Sequence, residues 1–276
     1  MKRFIVAFSL LALILTVLCV FSESSEAAVQ TISVSNAREF IEALGSNRVI
    51  EMDYTGDYNL SEWEFSDDLK LPAGVRWSGV FDGAELVVNG VKNLKISGGG
   101  PEGAKAYITV NPRYAFVLNF ENCSDVVLED ISAEHSEGGY CAGGVFSFTD
   151  SSRITVANVR MSGCGTEGLT LSNVSGMKVT DSSIVDCTYF IMTVTGGENI
   201  AFDDCMFMDN REFTLVNVSG TRNISFSNCY FNDNQGQMFD VNGTNVSVSN
   251  SSFNRNRTGS PIQRSSNVKF TNCEFN

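Results

Sequence analysis

The chain has 276 residues, of which 18% are charged and 43% hydrophobic, and its 19 Lys and Arg stand against 32 Asp and Glu for a net charge of −13. Such a composition excludes a disordered chain and a multi-span membrane protein. The acidic balance argues against a nucleic-acid partner and repels free polyuronates unless a cation intervenes. One histidine is too few for a three-His zinc site, and no metal site is expected.

The first segment reads as a targeting signal. Met1, Lys2 and Arg3 open it, Phe4 to Phe21 is almost wholly apolar, and Ser25-Glu26-Ala27 supplies the small residues of a cleavage site after Ala27. The alternative is an anchor formed by residues 4–21, just long enough to span a membrane. Removing residues 1–27 takes away Lys2, Arg3, Glu23 and Glu26, so the charge stays at −13. The expected location is therefore secreted, periplasmic or cell-surface. Export permits disulfides. Of the eight cysteines, Cys19 lies in the signal, and the remaining seven are an odd number with no C-x-x-C spacing.

Residues 28–80 read as an N-terminal cap with the first coil. Ala37, Phe40, Ile41 and Leu44 form one apolar stripe of a short helix, capped by Ser35 or Asn36 and ended by Gly45. From residue 81 onward the chain repeats. The first apolar positions of seven similar strands are Val126, Ile154, Met177, Ile200, Ile224, Val246 and Val268, spaced by 28, 23, 23, 24, 22 and 22 residues. Leu94 belongs to an earlier copy. Two residues on, Leu128, Val156, Val179, Phe202, Phe226, Val248 and Phe270 continue the row. After a turn comes another row, Ala133, Met161, Ile184, Phe207, Phe231, Phe253 and Phe275. A third strand precedes each copy, with inner pairs such as Phe146/Phe148 and Val216/Val218. Alternation at period two means one buried face per strand, and short strands bury it only by stacking copy on copy, like residue over like. Seven turn positions, Asp130, Asn158, Asp181, Asp204, Asn228, Asn250 and Asn272, carry residues that tolerate the left-handed backbone of a sharp corner.

Asn-x-x-Phe after an alternating Val-x-Phe or Val-x-Val strand resembles the pectin-lyase-like superfamily over about residues 80–276. The resemblance implies an all-β, right-handed parallel β-helix of about eight to ten coils with three short parallel sheets and a short N-terminal capping helix. It also implies an asparagine ladder along one corner. In enzymes of this fold the active groove runs along the outside of one sheet between long turn loops. Lyases there use Asp or Glu ligands for calcium with an Arg or Lys base, and hydrolases use clustered Asp with a nearby His in some. The matching outer row is Asn119, Ser147, Thr170, Thr193, Asn217 and Asp240, with one carboxylate and no basic residue. No cofactor is expected, with Ca2+ only in the case of a lyase.

Insertions break the period at Gly98 to Arg113 and at Glu134 to Gly144, and they are expected side by side at one corner. The catalytic candidates are His135, Glu134, Glu137 and Asp240, with the two glutamates expected to hold the histidine's proton. The substrate-binding candidates are Arg113, Tyr114, Tyr140 and Glu167. Trp63, Trp77, Tyr107 and Tyr189 also fall off the inner rows and are candidates for stacking on sugar rings. The expected function is binding of an extracellular or cell-envelope polysaccharide. A polysaccharide lyase or glycoside hydrolase and a structural adhesin module are the alternatives. The last strand, ending at Phe275, reads as an uncapped edge open to self-association.

Overall fold

The computed structural model describes residues 28–136, 142–163 and 167–276. The proposed signal at residues 1–27 lies outside them, as do Glu137, Tyr140, Cys141 and Cys164. No helix among the described residues is long and apolar enough to cross a membrane.

Each coil turns through three parallel sheets. Sheet A stacks Lys92–Ser97, Ser124–Glu129, Ser152–Ala157, Ser175–Thr180, Glu198–Asp203, Arg222–Ser227, Val246–Ser249 and Val268–Thr271. The rows expected from the sequence are in register here: Val126 pairs with Ile154, then Met177, Ile200, Ile224, Val246 and Val268. Sheet B carries the row from Ala133 through Met161, Ile184, Phe207, Phe231 and Phe253 to Phe275. Sheet C pairs Leu118 with Phe146, Leu169, Met192, Val216 and Phe239 in succession.

Stacking identical positions brings like side chains together. Phe202 and Phe226 stack at 4.8 Å and 9°, Phe231 and Phe253 at 4.6 Å and 6°, and Phe120 and Phe148 at 4.8 Å and 7°. The spacing is that of neighbouring strands, so the backbone ladder and the ring stack satisfy each other. Burying each such ring is worth about 1.5–3 kcal/mol. Cys205 and Cys229 sit on an inner row in register with Val159 and Ser182, and both are buried free thiols. The hydrogen bond with Cys205, and then burial, push the Cys229 thiol upward.

The A–B corners of the seven coils from Ser124 onward each take a left-handed residue, and Asp130, Asn158, Asp181, Asp204, Asn228, Asn250 and Asn272 supply it, with φ between 50° and 56°. Asn158 Nδ2 donates to Asp130 Oδ1 at 2.7 Å. Asp181 and Asp204 are both exposed to water at their turns.

A second ladder lies at the B–C corner, and it is buried. Asn210 and Asn234 are fully buried. Asn234 Oδ1 accepts from both the backbone N and Nδ2 of Asn210, at 3.1 and 3.0 Å. Asn256 Oδ1 accepts the same pair of bonds from Asn234. Each amide also donates to a strand carbonyl, Asn210 to Ile184 and Asn234 to Phe207. These bonds satisfy backbone donors where the chain leaves sheet B with no ladder partner of its own.

The N-terminal end is closed by the helix Ala37–Ala43, which buries Ala37, Phe40 and Ile41. Asn36 is its cap: Asn36 Oδ1 accepts from Glu39 N, and the Glu39 carboxylate accepts from Ser35 N. Such reciprocal bonding satisfies donors at the helix start. Before it, Gln30–Asn36 is a strand pairing with Arg48–Asn59. Val75–Val80 and Gly83–Asn89 form an antiparallel hairpin that extends sheet C past Leu118–Glu121.

Candidate functional site

The strand pairing separates the insertions expected at one corner. Gly98 to Lys105 leaves sheet A and enters sheet B, so it lies at the A–B corner, and Ala106–Val110 is a sheet-B strand paired with Ile131–His135. The connections from Val110 to Leu118 and from His135 to Phe146 both join sheet B to sheet C. These connections are 7 and 10 residues long, against 4 or 5 in the four coils that follow.

His135 is not a loop residue. It ends a sheet-B strand, stacks over Val110 and is 5% exposed. Its Nε2 lies 2.9 Å from the Ala115 carbonyl, so that nitrogen carries the hydrogen and Nδ1 is a buried acceptor without a partner among the described residues. Of the two carboxylates expected to hold its proton, Glu137 lies outside the described residues and Glu134 does not prevail. Burial lowers the histidine's pKa, overriding the Ala115 bond and the charges of Asp82 and Glu134. Glu134 alternates to the other face, the outside of sheet B, where it meets the Tyr107 hydroxyl. His135 and Glu134 therefore do not form a catalytic pair. Trp63 and Trp77 also depart from expectation, since both pack against the core.

Arg113 and Tyr114 do stand at the B–C corner. Asp82, at the tip of the hairpin, accepts from Arg113 N at 2.7 Å and Tyr114 N at 3.2 Å. A cleft of about 500 Å³ opens there, lined by Ser61, Glu64, Asp82, Asn111, Pro112 and Arg113. Burial, and to a lesser extent the charge of Asp82, push the Glu64 carboxyl upward against a bond to the Ala84 backbone. Beside the cleft, Tyr114 and the 85%-exposed Phe81 place their rings 5.0 Å apart. Glu64, Asp82 and Phe81 were not among the sequence candidates. Nothing in the repeat period marks them, because they precede its regular part.

From this corner the outside of sheet C runs along the stack as the sequence placed it: Asn119, Ser147, Thr170, Thr193, Asn217 and Asp240 occupy successive rungs. Glu85 closes the near end, accepting from Asn119 Nδ2 at 3.0 Å and Phe116 N at 3.1 Å. Glu167 lies beside the row and accepts from Thr193 Oγ1 at 3.1 Å. The middle is recessed, with Ser147 only 5% exposed. Asn119 Oδ1 and Thr170 Oγ1 on either side are buried without a hydrogen-bond partner among the described residues. Further along, Tyr189 and the 57%-exposed Phe213 stack at 5.2 Å and 20°. The register puts Tyr189 three coils beyond Tyr114, about 14 Å along the axis at about 4.8 Å per coil.

Asp240 is five rungs from Asn119, about 24 Å at the same rise, so it shares no site with Arg113 and Tyr114. It accepts from Asn242 Nδ2 at 2.9 Å and lines a separate cavity of about 400 Å³ under the segment holding Ile262 and Arg264. Among the described residues no group of three or more His, Cys, Asp or Glu is placed to hold a metal ion.

Residues 87–222 match the family model described as a right handed beta helix region. No curated protein matches the sequence. Among solved structures, pectate lyase Pel9A is 11% identical over 90% of this chain and 78% of its own, with a TM-score of 0.47. ORF18 of Geobacillus virus E2 is 12% identical over 88% of this chain and 60% of its own, with a TM-score of 0.49. The Streptococcus pneumoniae surface protein and adhesin PfbA is 9% identical over 90% of this chain and 88% of its own, with a TM-score of 0.34.

Proposed function

We propose that this chain, a right-handed parallel β-helix protein of pectin-lyase-like fold, is exported and binds a polysaccharide along the outside of sheet C. The observation that carries the reading is the recessed strip at Asn119, Ser147 and Thr170. Two buried oxygens there lack partners among the described residues, and aromatic pairs lie toward either end, Phe81 with Tyr114 and Tyr189 with Phe213. Sugar hydroxyls are the chemistry that answers unpaired polar oxygens, Thr170 through its own hydroxyl as donor or acceptor and Asn119 as an acceptor. Aromatic faces cover the apolar faces of sugar rings. A chain lying along the axis meets both pairs. Arg113 and Glu167 border that path, whereas His135 and Glu134 do not.

The test is affinity electrophoresis or calorimetry of the mature protein against a polysaccharide panel. Tyr189→Ala and Tyr114→Ala should each weaken binding about tenfold, a loss of about 1.4 kcal/mol. Tyr230→Ala, an exposed tyrosine on the outside of sheet B, should leave it unchanged. Equal loss in all three sinks the assignment to sheet C.

One observation favours a hydrolase as the second reading. Glu64 and Asp82 share a cleft, and Glu64 is pushed toward its protonated form, as a general acid requires. Release of reducing ends by the wild type, abolished in Glu64→Gln, is what this reading expects.

A further inference from the structure

We infer that the glycan taken by sheet C is an uncharged one, and that the face selects against polyuronates. This rests on the glycan reading above and adds the chemical class of ligand. The six parallel strands Leu118–Glu121, Phe146–Thr149, Glu167–Ser172, Phe190–Thr195, Thr214–Ser219 and Gln237–Asn242 contain no lysine or arginine at any position. Their ionisable residues are three carboxylates, Glu121, Glu167 and Asp240, and Glu85 adds a fourth at the near end. Arg76 reaches this face from the hairpin, but it is paired to Glu121 at 2.9 Å.

The other faces show that this is a property of sheet C. Sheet A carries Lys92, Lys95, Arg153, Lys178, Arg222 and Lys269 on its strands. The coils are continuous, so any one could have placed a cation on sheet C at no topological cost. The B–C corner does hold Arg113, Arg211 and Arg257, but Asp209 and Glu212 stand in the same connection as Arg211, and the Asp82 carboxylate is bonded to the backbone of Arg113 and Tyr114. The strands of the face therefore carry net negative charge, and at the far end one cation, Arg264, lines the same cavity as Asp240.

A polyuronate repeats a carboxylate on each sugar. Laid along the axis, it brings those charges past Glu85, Glu167 and Asp240 in a partly desolvated groove, where like charges repel more strongly than in bulk water. A neutral chain presents only hydroxyls to Ser147, Thr170, Thr193 and Asn217, and it meets no such barrier. Direct repulsion between exposed charges weakens as salt screens it, which gives the selection a signature distinct from a mere difference in shape.

The experiment measures binding of the mature protein to cellohexaose, xylohexaose and laminarihexaose against hexagalacturonate and hexamannuronate. Each is run in low-salt and high-salt buffer, with and without added Ca2+. We expect at least one neutral hexamer to bind tenfold or more tighter than either uronate at low salt. The ratio should narrow at high salt, and Glu167→Gln with Asp240→Asn together should narrow it at low salt. A uronate that binds as well as or better than every neutral hexamer, with or without Ca2+, overturns the inference while leaving a glycan function standing. Binding of none of the five overturns the glycan reading itself. A preference for neutral chains that is unchanged by salt and by the double substitution also overturns the inference, since shape and not charge would then be selecting.

Discussion

Phe226 sits within the aromatic stack, with four ring partners. It lies 4.8 Å from Phe202 and meets Phe207, Phe231 and Phe239 edge-on at 5.9, 5.9 and 6.3 Å. Its neighbours are fixed by their own coils and cannot collapse far into a void, so Phe226→Ala should cost about 3–5 kcal/mol by chemical denaturation. His135 makes the second prediction at this scale. Its native pKa is depressed below 6.5 by burial. Below that pH the unfolded chain takes up a proton that the native site refuses, so the unfolded state binds more protons. Stability is then fully present above about pH 6.5 and falls as the pH drops toward the native pKa. Denaturation curves from about pH 7 to about pH 5 should show this loss, and His135→Leu should remove its share of the slope. An identical pH slope in the variant would contradict the buried neutral imidazole.

At the scale of the element, the two asparagine ladders do different work. At the A–B corner the side chains face water and the left-handed backbone matters, so Asp and Asn serve equally. At the B–C corner the amides are buried and the side-chain bonds matter. Removing Asn234 leaves the backbone N and Nδ2 of Asn210 without the acceptor they share. Asn234→Ala should therefore cost about 2–6 kcal/mol, at about 1–3 kcal/mol for each of the two buried groups left unpaired, while Asn228→Ala is penalised mainly through its left-handed φ of 55°. Thermal melts of the two variants check this, and equal effects on both would mean that the inner ladder is not specially coupled. The B–C corner also shows how an element positions a site. The hairpin Val75–Asn89 brings Asp82 under Arg113 and Tyr114, and so ties a corner of the repeat to the cap that precedes it.

The whole molecule is close to one-dimensional, because each coil pairs chiefly with the coil before and after it. Stability in such a stack is a sum of coil terms and nearest-neighbour interfaces. Damage should then stay local. In Phe226→Ala, amide hydrogen exchange should accelerate first between Glu198 and Ser249, the coil of the mutation and its two neighbours. Protection in Lys92–Ser97 and Ser124–Glu129 should change little. Uniform acceleration through the chain would show a single cooperative core instead.

Much of this architecture follows from the residues in order. Side chains alternate at period two and parallel coils stack without slip, so Val126, Ile154, Met177 and their successors name their own partners, and the outer row from Asn119 to Asp240 follows by parity. The corners were less readable. A break in the period shows that residues have been inserted, but not which corner they occupy. Gly98 to Lys105 fell at A–B because Ala106–Val110 regained the strand alternation within what read as one loop. Parity likewise decides that His135 points inward and Glu134 outward, and only the pairing of Val110 with His135 locates that strand's end. The cleft of Glu64 and Asp82 depends on an antiparallel hairpin outside the repeat, whose contacts join residues with no common spacing. Local periodicity specifies which face a residue takes within a coil, while a site assembled across corners waits on how the coils and the cap come together in three dimensions.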